Sequence, residues 1–157
     1  MNEYITDKVT SWGNEVATFA LSQPQVCYAA FIFGLKHRWP YFLRTLPDIQ
    51  DLLEPLEKAI SNVLIPAITE KHCTEIERDI LAQPVRYGGL GITNPCHEVK
   101  REYSSSVKVT TPLIEKIVSQ THELPDEEKI RSEQQCGRSL REKELKDTVD
   151  HVKKTIP

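Results

Sequence analysis

Cationic and aromatic side chains alternate in one short run of this sequence, LKHRWPYFLRT, between Leu35 and Thr45. Cations contact phosphates and aromatic faces stack on nucleobases, so this composition suits a single strand or a duplex backbone. The alternative is that Trp39, Tyr41 and Phe42 are core residues and the cations solvate a helix end, because buried aromatics dominate small cores. The candidate nucleic-acid contacts are Lys36, Arg38, Trp39 and Arg44.

A second segment that could bind a ligand is the glycine-rich stretch PVRYGGLGITNP, from Pro84 to Pro95. Glycine N–H groups can approach a phosphate, but this spacing matches neither the P-loop nor the dinucleotide fingerprint. We therefore predict a structural turn or a short hairpin, with Leu90 and Ile92 pointing inward and Arg86 bonded to nearby carbonyls. The residues expected to define the turn are Arg86, Gly88, Gly89 and Gly91.

The sequence contains no pattern of residues typical of a metal site or a catalytic site. The pairs His72–Cys73 and Cys96–His97 hold adjacent residues, whereas structural zinc sites favour ligands separated by two to four residues. No histidine is placed to activate Cys27 or Cys136 as a nucleophile. Polymerase chemistry needs clustered aspartates to hold two metal ions, and no two aspartates are adjacent here. We expect no catalytic centre, no bound metal and no cofactor.

Helical periodicity must position these segments. Apolar residues at three- and four-residue steps predict one helix from Tyr4 to Leu21 and another from Leu52 to Ile65. Between them, PQVCYAAFIFGL is apolar nearly all round, which predicts a helix buried on most faces. Proline disfavours helical geometry in its predecessor, so short helices with sharp corners are expected, with Pro55 in a first turn. The punctuating prolines are Pro40, Pro47, Pro55 and Pro66.

Capping signals mark two further helix starts. Thr74 and Glu77 have the spacing of a capping box, so a helix should begin at Glu75 and run to about Leu81 before Pro84. Asn94 and Pro95 have the character of an N-cap and a first helical residue.

The last part of the chain is predicted to form two separate helices. The first runs from Pro112 to Gln120, with Leu113, Ile117 and Val118 inward. Apolar residues thin out from Asp126 onward, so we expect a helical domain over residues 1–125 and an exposed helix over 126–157. A narrow apolar seam on that helix could pair with a protein partner or a second copy. Its residues are Leu145, Val149, Val152 and Ile156.

Composition narrows the class of protein. The 157 residues are 39% hydrophobic, and 20 Lys/Arg against 23 Asp/Glu give a net charge of −3. A free-standing nucleic-acid binder usually has a strong basic footprint, so any such contact must be local. No apolar run is long enough to cross a bilayer, and the four cysteines are scattered. We expect a soluble, intracellular, all-α protein of the cytoplasm or nucleus: an irregular bundle of short helices with one glycine-rich turn and an extended C-terminal helix.

Four segments in succession carry a resemblance to a known family: SQPQVCYAAFIFGLKHRWPYFLRTLPDIQDLLEPLEKAI, LIPAIT, ERDILAQPVRYGGLGITNP and TTPLIEKIVSQ. Their order and spacing, from Val9 to Gln120, resemble the stretch that follows the palm and thumb in LINE-like (non-LTR) retrotransposon reverse transcriptases of animals. The GGLGI turn followed by NP is the most recognisable part. Two positions depart from the family's pattern: Gln83 stands where an apolar residue is usual, and Tyr87 follows Arg86 where an aliphatic residue is common.

The resemblance implies a helical accessory region of an RNA-directed DNA polymerase that helps to grip template and primer. The family's catalytic aromatic-x-Asp-Asp motif would lie upstream and is absent from this chain, so no catalytic residue carries over. The leading hypothesis is therefore a non-catalytic fragment of a retroelement polymerase. The alternative is a helical interaction module, derived from a retroelement remnant, that acts through the C-terminal seam.

Overall fold

The computed structural model describes residues 1–155, which form helices joined by short turns, with no strand in that range. The predicted all-α fold class is confirmed. Short 3₁₀ turns lie at Leu35–His37 and Val85–Tyr87, and one π-helical segment lies at Ile60–Leu64. The α-helices are α1 (Asn2–Phe19), α2 (Pro24–Phe33), α3 (Pro40–Thr45), α4 (Gln50–Ala59), α5 (Ile65–Thr69), α6 (Glu75–Ala82), α7 (Pro95–Val118) and α8 (Glu127–Thr155).

The hydrophobic core lies where α1 packs against α4 and the π-helical segment. The residues of α1 that enter it recur at three- and four-residue steps, as one face of a helix requires. Trp39, just before α3, lies in the core, with its ring centroid 5.9 Å from that of Trp12 and 6.0 Å from that of Phe31. The α1 residues in the core are Ile5, Val9, Trp12 and Val16.

Helix α2 is less buried than its composition predicted. Cys27 and Phe31 lie in the core, but Val26 is 55% exposed and Phe33 is 82% exposed. The expectation of burial on most faces is wrong, because the helices packed against α2, which include α1 and α5, leave Val26 and Phe33 uncovered.

Two of the prolines do not break the chain into separate helices. Helical backbone continues from Gln50 to Thr69 through both Pro55 and Pro66, and Pro55 lies in the second turn of α4 instead of the first. Pro55 leaves the carbonyl of Asp51 without its usual N–H partner, and Asp51 is exposed to water. Before Pro66 the helix widens, and the N–H of Ile65 donates to the carbonyl of Ile60. This π-helical turn makes room for the proline ring, so the expected sharp corner is absent.

The glycine-rich segment is a turn that folds back on the end of α6. Gly91 N–H donates to the carbonyl of Gln83 at 2.8 Å, and Ile92 N–H donates to the carbonyl of Leu81 at 3.1 Å. Ile92 is fully buried and Leu90 is half-buried, as the inward pattern predicted. Of the two forms left open by the sequence, the turn is present and the hairpin is not. The predicted capping box of Thr74 and Glu77 and the predicted Asn94 cap are both present.

Helix α7 is one continuous helix of 24 residues, with a buried Pro112 inside it, where two helices were predicted. Thr111 bonds the carbonyl of Val107 through its hydroxyl at 2.7 Å, and the helical path continues past the proline. The inward placement of Leu113, Ile117 and Val118 is also wrong, because they are 46%, 66% and 76% exposed. The helix runs beyond the core, whose last contributor on α7 is Val99.

The expected extended C-terminal helix is present as α8, and none of its described residues is buried. It is not free in solvent, because it packs along α7 and α6. The seam residues Leu145, Val149 and Val152 are half-buried, while Ile156 lies outside the described residues. At its start, the carboxylate of Asp126 accepts the N–H of Glu128 at 3.0 Å, which caps the helix.

The glycine turn predicts a sharp difference between two glycine substitutions. A methyl group on Gly89 would lie 2.0 Å from the carbonyl oxygen of Gln83, so Gly89→Ala should cost roughly 3 kcal/mol or more. Gly13, inside α1, has 4.0 Å to the nearest side-chain atom, so Gly13→Ala should stabilise by up to about 1 kcal/mol. Urea denaturation of both variants measures the two effects. Equal effects would contradict the close backbone approach at Gly89.

The burial pattern of α8 predicts that the fold survives its removal. Deleting residues 126–157 removes no buried side chain among the described residues, so the core should be preserved. We expect a single cooperative thermal transition in the truncated chain, with a midpoint a few degrees below that of the full chain. Calorimetry measures this transition. A broad, non-cooperative transition would show instead that α8 is required for folding.

Candidate nucleic-acid interface

The three cations of the basic-aromatic run lie in three different places. Lys36 lines a cavity between α2, the glycine turn and α8. Arg38 faces α1, where its Nη1 lies 3.5 Å from Oε1 of Glu15. Arg44 faces α7, where its Nε lies 3.0 Å from Oε2 of Glu102. The helical turns around Trp39 and Pro40 send successive cations in different directions, so the run does not form one phosphate-binding patch.

The aromatic residues of the run are split between core and surface. Trp39 is 1% exposed and packed between the rings of Trp12 and Phe31, so its faces cannot stack on a base. Phe42 is half-buried against the core, and Tyr41 is 69% exposed. Trp39 is therefore a core residue and not a candidate nucleic-acid contact.

A larger basic surface appears where α7 and α8 run side by side. We call it the α7–α8 groove: it has a volume of about 1020 Å³ and includes Arg44 at its edge. The hydroxyls of Ser104, Ser105 and Ser106 lie along it, and Gly137 of α8 passes close to Ser105. Its acidic residues are Glu102, Glu133 and Glu144. Its basic residues are Arg44, His97, Lys100, Arg101, Lys108, Arg138 and Arg141.

Half of the groove's lysine and arginine side chains already have a carboxylate partner. Arg44 pairs with Glu102, and Arg101 lies 2.6 Å from Glu98, which also lies 3.6 Å from Arg141. The others are Lys100, Lys108 and Arg138, which are exposed and form no ion pair within residues 1–155. Cations and hydroxyl donors are the groups that proteins use to contact phosphates.

A helical signal for part of this groove is present in the sequence. Lys100, Ser104 and Lys108 follow one another at four-residue steps, which places them on one stripe of α7, about 6 Å apart along the axis. The contribution of Arg138 depends on how α8 docks, and no local pattern indicates it. The groove is not evident from the sequence because its two walls lie on different helices, α7 and α8, which are joined by a turn.

Arg78, which the sequence did not single out, holds the start of α7 in place. It is 7% exposed, and its guanidinium binds both carboxylate oxygens of Glu57, at 2.7 and 2.9 Å. It also donates to the carbonyls of Ile92, at 2.6 Å, and Thr93, at 3.3 Å. One side chain therefore joins α4, α6 and the end of the glycine turn. The next residue, Asn94, caps α7, so this ion pair sets where the groove begins.

Arg86 was predicted to bond nearby carbonyls, but it contacts α8 instead. Its Nη2 lies 2.5 Å from Oε2 of Glu142, and the hydroxyl of Tyr87 donates to the other oxygen of the same carboxylate. The Tyr87 hydrogen bond, together with the charge of Arg86, lowers the pKa of Glu142. Because the pKa is lowered by folding, this contact stabilises docking at neutral pH and is lost as the pH falls through that lowered value.

The cysteines offer no activated nucleophile in the core. Burial raises the pKa of Cys27, and burial together with the negative charge of Glu57 raises the pKa of Cys96 to about 11. A thiolate is the reactive form, so both core thiols are inert near neutral pH. Cys136 is exposed and lines the α7–α8 groove, and no disulfide links the four cysteines.

Two structural features are absent from residues 1–155. No group of three or more His, Cys, Asp or Glu side chains in this range is arranged to hold a metal ion. None of the helices in the described range combines the length and the apolar character that crossing a bilayer demands. Comparisons of the chain with family models, with curated proteins and with solved structures found no match.

The Arg78–Glu57 pair predicts a large loss of stability when one partner is removed. Arg78→Met leaves the Glu57 carboxylate without its cationic partner, with only the Ser61 hydroxyl bonded to it, and removes the donor to two carbonyls, so it should cost about 3–5 kcal/mol. Arg44→Met breaks an exposed pair with Glu102 and should cost under about 1 kcal/mol. Chemical denaturation of both variants measures the difference. The double variant Arg78→Met/Glu57→Leu should recover part of the loss, and no recovery would contradict the role of the uncompensated carboxylate.

Proposed function

We propose that this chain is a non-catalytic, helical accessory region of a LINE-like RNA-directed DNA polymerase, and that it helps to hold template and primer. The α7–α8 groove supports the proposal most directly, because exposed cations and serine residues line it. The resemblance from Val9 to Gln120 runs from α1 past the end of α7. It therefore includes Arg44, Lys100 and Lys108, while Arg138 on α8 lies outside it.

The charge distribution favours a local contact with a polyanion. Six Lys/Arg side chains line the groove against three carboxylates, although the whole chain carries a net charge of −3. The remaining surface is acidic overall and repels phosphate, so a strand would be steered toward the groove. Binding of this kind is non-specific in sequence, because cations and hydroxyls position a backbone without identifying its bases.

The proposed role is contact and not chemistry. Phosphoryl transfer by a polymerase needs clustered aspartates that bind two metal ions, and the aspartates of this chain are scattered along it. In the parent enzyme that chemistry would belong to the domain that carries the catalytic aspartates. This chain would supply part of the surface that holds the nucleic acid.

The alternative, a protein-interaction module acting through the seam of α8, has less support. Leu145 lines the cavity next to the glycine turn, so part of the seam is already used within the chain. Val149 and Val152 are half-buried as well. A partner helix would have to displace α8 from its own fold before it could reach the seam.

The groove predicts which cations carry the salt dependence of binding. Replacing Lys100, Lys108 and Arg138 with Ala should lower the slope of log affinity against log salt on duplex DNA by roughly 2.7, at about 0.9 per lost phosphate contact. Replacing Lys58, Lys71 and Lys129, which do not line the groove, changes the net charge equally and should leave the slope nearly unchanged. Fluorescence anisotropy with a labelled oligonucleotide at several salt concentrations measures both.

A third variant and a footprint locate the contact. Replacing Lys36, Arg38 and Arg44 should lower the slope less than the groove variant, because Arg38 and Arg44 are paired with carboxylates. Bound oligonucleotide should also slow the alkylation of Cys136, which lines the groove. The alkylation rate of Cys73, which does not line the groove, should stay unchanged. Equal slopes in all three variants, or unprotected Cys136, would refute the groove as the binding surface.

A further inference from the structure

A second cavity adjoins the α7–α8 groove. We call it the Gln83 cavity: it has a volume of about 460 Å³ and lies between α2, the glycine turn and α8. The groove and the cavity share His97, Arg101, Arg141 and Glu144, so they lie side by side. Its apolar and aromatic wall consists of Tyr28, Ile32, Ala82, Pro84, Leu90 and Leu145.

Two polar atoms at this cavity are buried without a partner in the described part of the chain. Gln83 is 6% exposed, and its Oε1 is shielded from solvent and accepts no hydrogen bond. The Nε of Arg101 is also shielded and donates to no acceptor. Buried polar groups in folded proteins are nearly always hydrogen-bonded, so an acceptor and a donor left over on two residues that line one cavity would gain partners from a polar ligand.

The surrounding contacts hold these groups in place. The backbone of Gln83 is fully engaged, since its N–H donates to Ile80 at 3.0 Å and its carbonyl accepts from Gly91 at 2.8 Å. The hydroxyl of Tyr28 donates to the carbonyl of Leu90 at 2.8 Å, which fixes the aromatic wall. The cavity therefore combines a rigid apolar wall with one unpartnered amide oxygen and one unpartnered guanidinium N–H.

Such a combination matches the chemistry of a nucleobase. A base has an apolar face for contact with aromatic and aliphatic side chains, and its edge presents donors and acceptors side by side. A side-chain amide has both kinds of group and can bond such an edge in two places. Lys36 lines the cavity and forms no ion pair within residues 1–155, so its ammonium is available to the phosphate next to the base.

We propose that the Gln83 cavity binds one unstacked nucleobase while the α7–α8 groove holds the phosphates of the same strand. This region then prefers single-stranded RNA or DNA to duplex, because a paired base cannot enter the cavity. The inference rests on the proposed function, because a bound nucleic-acid strand would supply the base. A free nucleotide presents the same chemistry, and the two sources give different results in the experiments below.

The first experiment tests base recognition without a strand. Uniformly ¹⁵N-labelled full-length protein is titrated with nucleoside 5′-monophosphates, and with ribose 5-phosphate as the matched control that lacks a base. The side-chain amide resonance of Gln83 should shift with the nucleotides and stay unchanged with the sugar phosphate. No shift at millimolar nucleotide, or an equal shift with ribose 5-phosphate, would overturn the inference whatever the oligonucleotides do.

The second experiment uses Gln83→Met, with the exposed Gln25→Met as its control. Methionine is close to glutamine in size and removes the unpartnered amide, so the variant should melt at the same temperature as the parent chain or higher. Its affinity for a single-stranded oligonucleotide should fall roughly tenfold, the equivalent of one lost hydrogen bond, while its duplex affinity is unchanged. The control variant should change neither affinity.

The outcomes separate the two proposals. If Gln83→Met melts lower and keeps its single-strand affinity, Gln83 is structural and the inference fails. If the parent chain binds duplex and single strand equally and the variant matches it, the inference fails while the proposed function stands. If nucleotides shift Gln83 but no oligonucleotide binds, the cavity is a site for free nucleotides and the proposed function fails.

Discussion

The buried ion pair between Arg78 and Glu57 is the interaction on which the rest of the structure depends. Removing a guanidinium and a carboxylate from water is costly, and the cost is offset only when geometry satisfies their hydrogen-bonding groups. Here both carboxylate oxygens accept from the guanidinium, Ser61 donates to one of them at 2.6 Å, and two carbonyls of the glycine turn take further N–H groups. The pair therefore ties the first half of the fold to the second.

The path of the glycine turn follows from that anchor. With Ile92 and Thr93 held by Arg78, the turn must pass close over the end of α6, and at Gly89 the approach leaves no space for a side chain. The turn then delivers Asn94 to the start of α7. An error in this segment would redirect a helix of 24 residues, so a small buried polar contact governs the position of an exposed surface far from it.

Helix α8 docks by a different kind of interaction. No described residue of it is buried, and its main links are ion pairs and hydrogen bonds from Arg86, Tyr87, Arg101 and Arg141. Exposed ion pairs are weak and are screened by salt, so one wall of the groove is held loosely compared with the other. The arrangement also leaves Lys100, Lys108 and Arg138 without an ion pair among the described residues, and Oε1 of Gln83 without a hydrogen-bond donor. A buried oxygen without a donor costs stability.

Local signals in the sequence determined much of the secondary structure. The capping box at Thr74, the Asn94–Pro95 helix start and the periodic face of α1 were all predicted correctly, because each depends on residues within one or two turns of each other. The turn at Gly88 and Gly91 was predicted for the same reason, since positive backbone angles favour glycine.

Tertiary structure decided which surfaces those elements present. Pro112 lies inside a helix, although the local pattern predicted a helix start there. Trp39 lies in the core, although its neighbours in the sequence also allowed an exposed stacking surface. Arg78 meets Glu57 across 21 residues, and Arg44 meets Glu102 across 58. Burial and pairing depend on contacts between residues far apart in the chain, and periodicity reports only on neighbours along one helix. The sequence thus predicted the helix starts and the periodic face of α1, but not the path of the chain through its prolines, and the groove and the cavity formed only when the helices packed together.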